Sequence, residues 1–323
     1  MRKPDFQRRR LCLTSLALPV LSVLPACTQP LIPLQSAGSA ADADELLATS
    51  AAAHGLAALA KIDDLSVSYS GTWRSLVGKL QPALVDAGFR GGSEERILLR
   101  TGLIAQAHHG RSGNKQVVRQ RVADSPGEVR VWFNGDEASD AERRDAAALV
   151  VDGYCLFLLG PMLLALRGPW HRRLNLERGP GERVRVSGVD YDCDVLRVRV
   201  APGLGFAEAD RIDFCIDRQT HLTRRLRFSL NGLESTRGAV AAVDLFAFVS
   251  RDGVMWPTGF YEHLLRPFPL PVHDWRLTGL DVNRGLTPAE IGGPAFEGAA
   301  TRPAADLGAT AGATAGATSG AAT

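Results

Sequence analysis

Apolar and polar side chains alternate through much of the second half of the chain. Leu196, Val198 and Val200 stand opposite Arg197 and Arg199; Ile212, Phe214 and Ile216 stand opposite Asp213 and Asp217. Leu226, Phe228 and Leu230 repeat the arrangement against Arg225, Arg227 and Ser229. A period of two sends successive side chains to opposite faces, so these stretches read as half-buried strands. The same reading gives strands at 65–69, 96–107, 115–122 and 129–133, then at 184–188, 239–249 and 254–264. After Pro267, Pro269 and Pro271, residues 273–280 read as a last edge strand. Asn134-Gly135, Asn231-Gly232 and Asp252-Gly253 supply turns. Consecutive strands joined by short turns make an antiparallel meander, and half-buried strands need an apolar cover.

Residues 140–166 can be that cover. Their charged first turn gives way to an almost wholly apolar end, which reads as a helix going inward, bent or divided at Gly153 and at Gly160-Pro161. The apolar run 154–166 is shorter than the roughly 20 residues of a membrane span, so it is better buried in protein. Residues 44–62 have helical spacing through Leu46, Leu47, Leu56, Leu59 and Ile62. Between 73 and 90, Leu76, Leu80, Leu84 and Val85 mark a short helix that Pro82 weakens unless it opens one. The fold class is therefore α+β. With 45% hydrophobic and 22% charged residues the chain is long enough for a sizeable core. A formal charge of +2, from 37 basic and 35 acidic side chains spread along the sequence, excludes the concentrated basic patch of a nucleic-acid surface.

The N-terminus carries an export pattern: Arg8, Arg9 and Arg10 precede an apolar stretch ending in Leu24-Pro25-Ala26-Cys27. These four residues resemble the lipobox of bacterial lipoproteins. That resemblance implies a signal peptide at 1–26, lipid on Cys27 and attachment to a membrane through it; Thr28 in second place implies the outer membrane. The alternative is an ordinary secretory signal with a chance cysteine. Residues 27–43 read as a tether, 44–285 as a single domain, and 286–323, ending in Gly-Ala-Thr repeats, as a disordered tail. In an oxidising compartment Cys193 and Cys215, on consecutive strands, are candidates for a disulfide, against two separate buried thiols. Cys155 reads as an inert buried thiol.

Catalytic signatures are absent from the sequence. None of the 7 histidines makes an HExxH or flanks a Cys-x-x-Cys, and no Gly-x-Ser-x-Gly or phosphate-binding glycine loop is present. No cofactor or metal is expected, and Asp190, Asp192 and Asp194 read as a polar strand face. Aromatic residues offer another idea: a strongly curved sheet that does not close over a helix leaves an apolar cavity. Trp132, Tyr154, Phe157, Met162, Trp256 and Tyr261 are the candidate lining, against a plainly packed core.

The phrases AAAHGLAALAKI with LSVSYSGTW, GLIAQAHHGRSGNKQVVR, and RIDFCIDRQTHLTRRLRFSLNG followed by GVMWPTGFY complete a resemblance. Together with the order of elements, the chain is similar over 45–281 to the LolA/LolB-like superfamily of periplasmic lipoprotein-sorting carriers and lipid-binding relatives. The resemblance implies a strongly curved, unclosed antiparallel sheet, a half-barrel, wrapping embedded helices. It also implies a non-enzymatic envelope protein with an acyl chain or phospholipid as ligand. Two other classes stay open: a packed structural or interaction lipoprotein, and a hydrolase if His108 or His273 met a carboxylate and a nucleophile in one cleft.

Overall fold

Asp140 accepts a hydrogen bond from the Arg143 amide at 2.8 Å and so caps helix α5 (Ala141–Leu159). In the computed structural model, which describes residues 40–296, this helix is the central covering element. It runs unbroken through Gly153 and is buried at every position from Ala146 to Leu159, as a helix apolar on all sides must be. Gly160, at φ 53° and ψ −133°, ends it, and Pro161 opens α6 (Pro161–Ala165). Before it come α1 (Ala40–His54), α2 (Leu56–Leu59), α3 (Ser75–Leu80) and α4 (Pro82–Val85); α7 (Pro288–Ile291) comes last. Pro82 opens α4 rather than breaking a longer helix. Among the described residues no helix is long and apolar enough to cross a membrane.

The strands are β1 (Asp64–Trp73), β2 (Gly92–Leu98), β3 (Leu103–Gly110), β4 (Gly113–Val122), β5 (Ser125–Phe133) and β6 (Asp136–Glu137) before α5. After it come β7 (Arg173–Val186), β8 (Val189–Ala201), β9 (Asp210–Asp217), β10 (Thr223–Ser229), β11 (Val240–Arg251), β12 (Val254–Arg266) and β13 (Leu270–Val282). All 13 form one antiparallel sheet in the order β6-β5-β4-β3-β2-β1-β13-β12-β11-β10-β9-β8-β7. Two meanders meet where β1 pairs with β13, Leu65 facing Val282 and Trp73 facing His273. The two sheet edges, β6 and β7, are the strands that flank α5 and α6 in sequence, so the helices carry the chain from one edge to the other.

The half-barrel expectation is corrected here. The sheet is open and is neither closed nor strongly curled: β6 and β7 stand at opposite ends of the strand order and share no ladder. The two-residue β6 is too short to template a further strand. Alternation in a sequence reports which face is buried and not how far the sheet bends, so the curvature had no signal of its own.

On one face, α1, α5 and α6 pack Leu46, Leu149, Leu156 and Met162 against inward residues such as Val67, Ile97, Phe214 and Phe260. On the other face Leu98, Leu103, Ala105, Val118 and Trp132 lie under Leu286, Ile291 and Phe296. The residues that follow 285, expected to be without packing, therefore cover the sheet as far as 296; Thr287 and Glu290 close a capping box around α7. Helix α1 starts at Ala40, inside the expected tether. The expected signal peptide, Cys27 and the repeats after 296 lie outside the described residues.

Candidate functional site

Leu149, Val150, Gly153, Tyr154 and Phe157 share one face of α5, at the spacing that stacks side chains along a helix. Part of that face packs on the sheet, Phe157 against Phe228 at a centroid distance of 5.2 Å and Tyr154 against Trp275 at 5.4 Å. The face also bounds a cavity of about 310 Å³ whose floor is Phe228, Ala241, Leu264 and Val272 from β10 to β13. Val77, Leu80 and Leu84, from α3 and α4, form one wall, with Trp73 at the end of β1. At the rim Leu80 and Phe268 are 52% and 51% exposed and together make an apolar mouth. The volume stands at the low end of small-molecule sites, roughly 300–1,000 Å³, which suits one aliphatic chain.

Most polar groups on the lining satisfy each other. Gln81 Nε2 donates to the Ser235 carbonyl at 3.2 Å and Ser235 Oγ donates back to Gln81 Oε1 at 2.9 Å. Thr236 Oγ1 donates to the Leu230 carbonyl at 2.8 Å. The Tyr154 hydroxyl lies 3.3 Å from His273 Nδ1, and His273 is stacked between Trp73 and Trp275 at centroid distances of 4.2 and 4.4 Å. Behind Tyr154 is a buried polar layer. Glu95 accepts from Gln106 at 2.8 Å and from the Tyr69 hydroxyl at 3.4 Å. Arg90 donates to the Val85 carbonyl at 2.9 Å, and Lys115 pairs with Asp86. Burial pushes Glu95 up to about 7 against the pull of those two donors, and pushes Lys115 down to about 8 against Asp86.

The structure brings only Tyr154 and Phe157 of the expected lining residues to this cavity. Trp132 lies on the opposite face of the sheet, under the C-terminal segment. Met162 is fully buried in the main core, and Trp256, also fully buried, donates its indole N–H to the Arg251 carbonyl at 3.2 Å. Tyr261 alternates outward from the inward-facing Phe260 and stacks on His263 at 5.6 Å. Sequence reasoning missed Trp73, Val77, Leu80, Phe268 and Glu262. The only available signal for the first group was the helical spacing of large apolar residues around Pro82.

Cys193 and Cys215 come together with Val184 and Val186 in a small cluster and are free thiols. Burial raises both, Cys193 to about 12; it also raises Cys155 in the main core. Ser93 Oγ and His108 Nδ1 are 2.7 Å apart, but the ring also faces the Arg90 guanidinium at 3.3 Å. An imidazolium formed there would sit beside a cation, whereas a serine–histidine mechanism puts a carboxylate in that place. His109 meets Asn114 instead, and His273 meets Tyr154. Among the described residues no group of three His, Cys, Asp or Glu side chains could hold a metal. Asp190, Asp192 and Asp194 are ion-paired to Arg185, Arg183 and Arg178.

These shifts predict the pH dependence of stability. Burial lowers His54 to about 4 and His273 to about 2, while it raises Glu95 to about 7 and Glu262 to about 8. From pH 6.5 upward to 8 the folded state keeps glutamate protons that the unfolded chain has lost, so stability falls with rising pH. On acidification below about 6 the unfolded chain gains protons on histidines that stay neutral in the folded state. His108 and His263 are lowered as well, so four histidines outweigh two glutamates. Urea midpoints should peak near pH 6.5; a flat curve from 6.5 to 8 would show that both glutamates ionise in the folded state without cost.

No family profile and no curated protein matches the sequence. The chain is similar to a DUF1329 family protein from Desulfovibrio piger ATCC 29098, at 12% identity over 78% of this chain and 96% of that one, with a TM-score of 0.42. It is similar to a LolA superfamily protein from Nitrosomonas europaea, at 9% identity over 77% and 96%, with a TM-score of 0.41. A putative outer membrane lipoprotein-sorting protein domain from Vibrio parahaemolyticus is similar at 11% identity over 78% and 97%, with a TM-score of 0.36. All three are distant likenesses.

Proposed function

We propose that the protein is a non-enzymatic envelope protein, anchored through lipid on Cys27, that holds one acyl chain or comparable hydrophobic chain between α5 and strands β10 to β13. The observation that supports this reading is the cavity itself. It offers about 310 Å³ bounded almost wholly by apolar side chains, with an apolar rim at Leu80 and Phe268. A chain entering it leaves water for carbon contacts on every side and displaces no hydrogen bond of the lining, because Gln81, Ser235 and Thr236 are paired within the protein. The export pattern puts such a binder where acyl chains are abundant, on the periplasmic side of the outer membrane. Placement among the lipoprotein-sorting carrier-like proteins is part of the same proposal and rests on the sequence phrases quoted above.

Native mass spectrometry tests it, on protein taken gently from envelope membranes and on a signal-less soluble form. The expected result is a non-covalent acyl or phospholipid adduct on the membrane-derived form, and uptake of an added fluorescent fatty-acyl probe by the soluble one. Clean spectra for both forms, with no probe uptake, would overturn it.

A further inference from the structure

We infer that the chain held in this cavity carries a hydrogen-bond-donating head group, an ammonium or a hydroxyl rather than a carboxylate, and that Glu262 receives it. The inference rests on the hydrophobic-chain reading and narrows it to a ligand class. Among the described residues Glu262 is the only carboxylate on the lining, and no Lys, Arg or His is there to meet an anionic head. It projects from the inner face of β12, two residues after the fully buried Phe260, at a β-bulge between Glu262 and His263. Bulges re-aim side chains and are common beside binding sites. Unlike every other polar group described on the lining, its carboxyl has no hydrogen bond or ion pair among the described residues.

A carboxyl left alone against apolar walls is costly, and groups of that kind are normally paired. Burial pushes Glu262 up to about 8, with no neighbour pulling it back. Tyr154 faces it from α5 and His273 from the paired position on β13; burial keeps both neutral around pH 7, so neither supplies a counter-charge. An ammonium or hydroxyl would supply the missing donor and hold the carboxylate ionised. A fatty-acid carboxylate would bring a negative charge into the same dry wall, where no basic side chain of the lining meets it.

The test uses probes of one tail and three heads, decylamine, decanol and decanoate, each displacing a bound apolar dye from the soluble domain at pH 7. For the wild-type protein decylamine should bind at least tenfold more tightly than decanoate, with decanol between them. In Glu262→Gln the decylamine advantage over decanoate should shrink at least tenfold. Equal binding of decylamine and decanoate by the wild-type protein, or the same preference in Glu262→Gln, would overturn this inference and leave the chain-binding reading standing. Failure of the dye and all three probes to bind would overturn both.

Discussion

Replacing Asp152 with alanine should cost about 3–5 kcal/mol of folding stability, read from urea unfolding, the size expected when one partner of a buried ion pair is removed. Asp152 stands in the middle of α5, with its side chain 1% exposed. Its Oδ1 accepts from Arg119 Nε at 3.2 Å; its Oδ2 accepts from Arg119 Nη2 at 3.0 Å and the Gly205 amide at 2.8 Å, and meets Arg121 Nη1 at 2.6 Å. Burial alone would raise this carboxyl, but the charges of Arg119 and Arg121 and the hydrogen bonds outweigh it and hold it below the usual range. Without it, two guanidinium groups stay buried beside a third, Arg172, which burial and Arg121 already lower to about 10. Asp152→Asn keeps an acceptor but not the charge and should fall between alanine and wild type. A loss under about 1 kcal/mol for alanine would mean that the cluster behaves as a solvated surface pair.

The same cluster links stability to the site. Arg119 and Arg121 belong to β4, and Gly205 to the loop between β8 and β9, so Asp152 ties one turn of α5 to two separate parts of the sheet. An otherwise greasy helix could rotate about its axis at little cost; a buried carboxylate with three donors and a second guanidinium beside it cannot. The rotation it imposes is the one that turns Val150, Gly153, Tyr154 and Phe157 towards the cavity.

How much of this could be read beforehand follows the physics of each element. The meander was legible because period-two patterning is local: the runs through Leu196–Val200 and Ile212–Ile216 lie in β8 and β9, and Leu226 and Phe228 lie in β10. The covering helix was legible from its capped, charged start and the glycine–proline break that divides α5 from α6. Pairing of β1 with β13 joins residues 200 or more positions apart and leaves no local trace. The site was legible only in part, for the same reason. Tyr154 and Phe157 came from the helix that had to be buried, whereas Trp132 and Tyr261 were assigned to the wrong face of the sheet. Aromatic character reports burial without saying on which side. Glu262 was hidden because a glutamate in a strand reads as solvent-facing, although it falls in step with the buried Phe260 and the cavity-lining Leu264.

Filling the cavity from α5 should abolish ligand uptake without unfolding the protein. Val150 lines the cavity and is 9% exposed. Val150→Trp would place an indole where the chain is proposed to lie, and Ala239→Phe would fill the same space from the opposite side. A ligand that loses about 200 Å² of apolar contact loses about 5 kcal/mol of driving force. Probe affinity should therefore fall at least about a hundredfold, which corresponds to about 2.7 kcal/mol. Because the new side chain enters empty space rather than packed core, the thermal midpoint should hold or rise. The contrasting variant is Met162→Ala, at a fully buried position outside the cavity. It should cost about 2–5 kcal/mol of stability and leave probe affinity unchanged. Undiminished probe binding by both Val150→Trp and Ala239→Phe would place the occupant elsewhere and remove the cavity from any account of function; loss in these two and retention in Met162→Ala separates occupancy of the cavity from integrity of the fold.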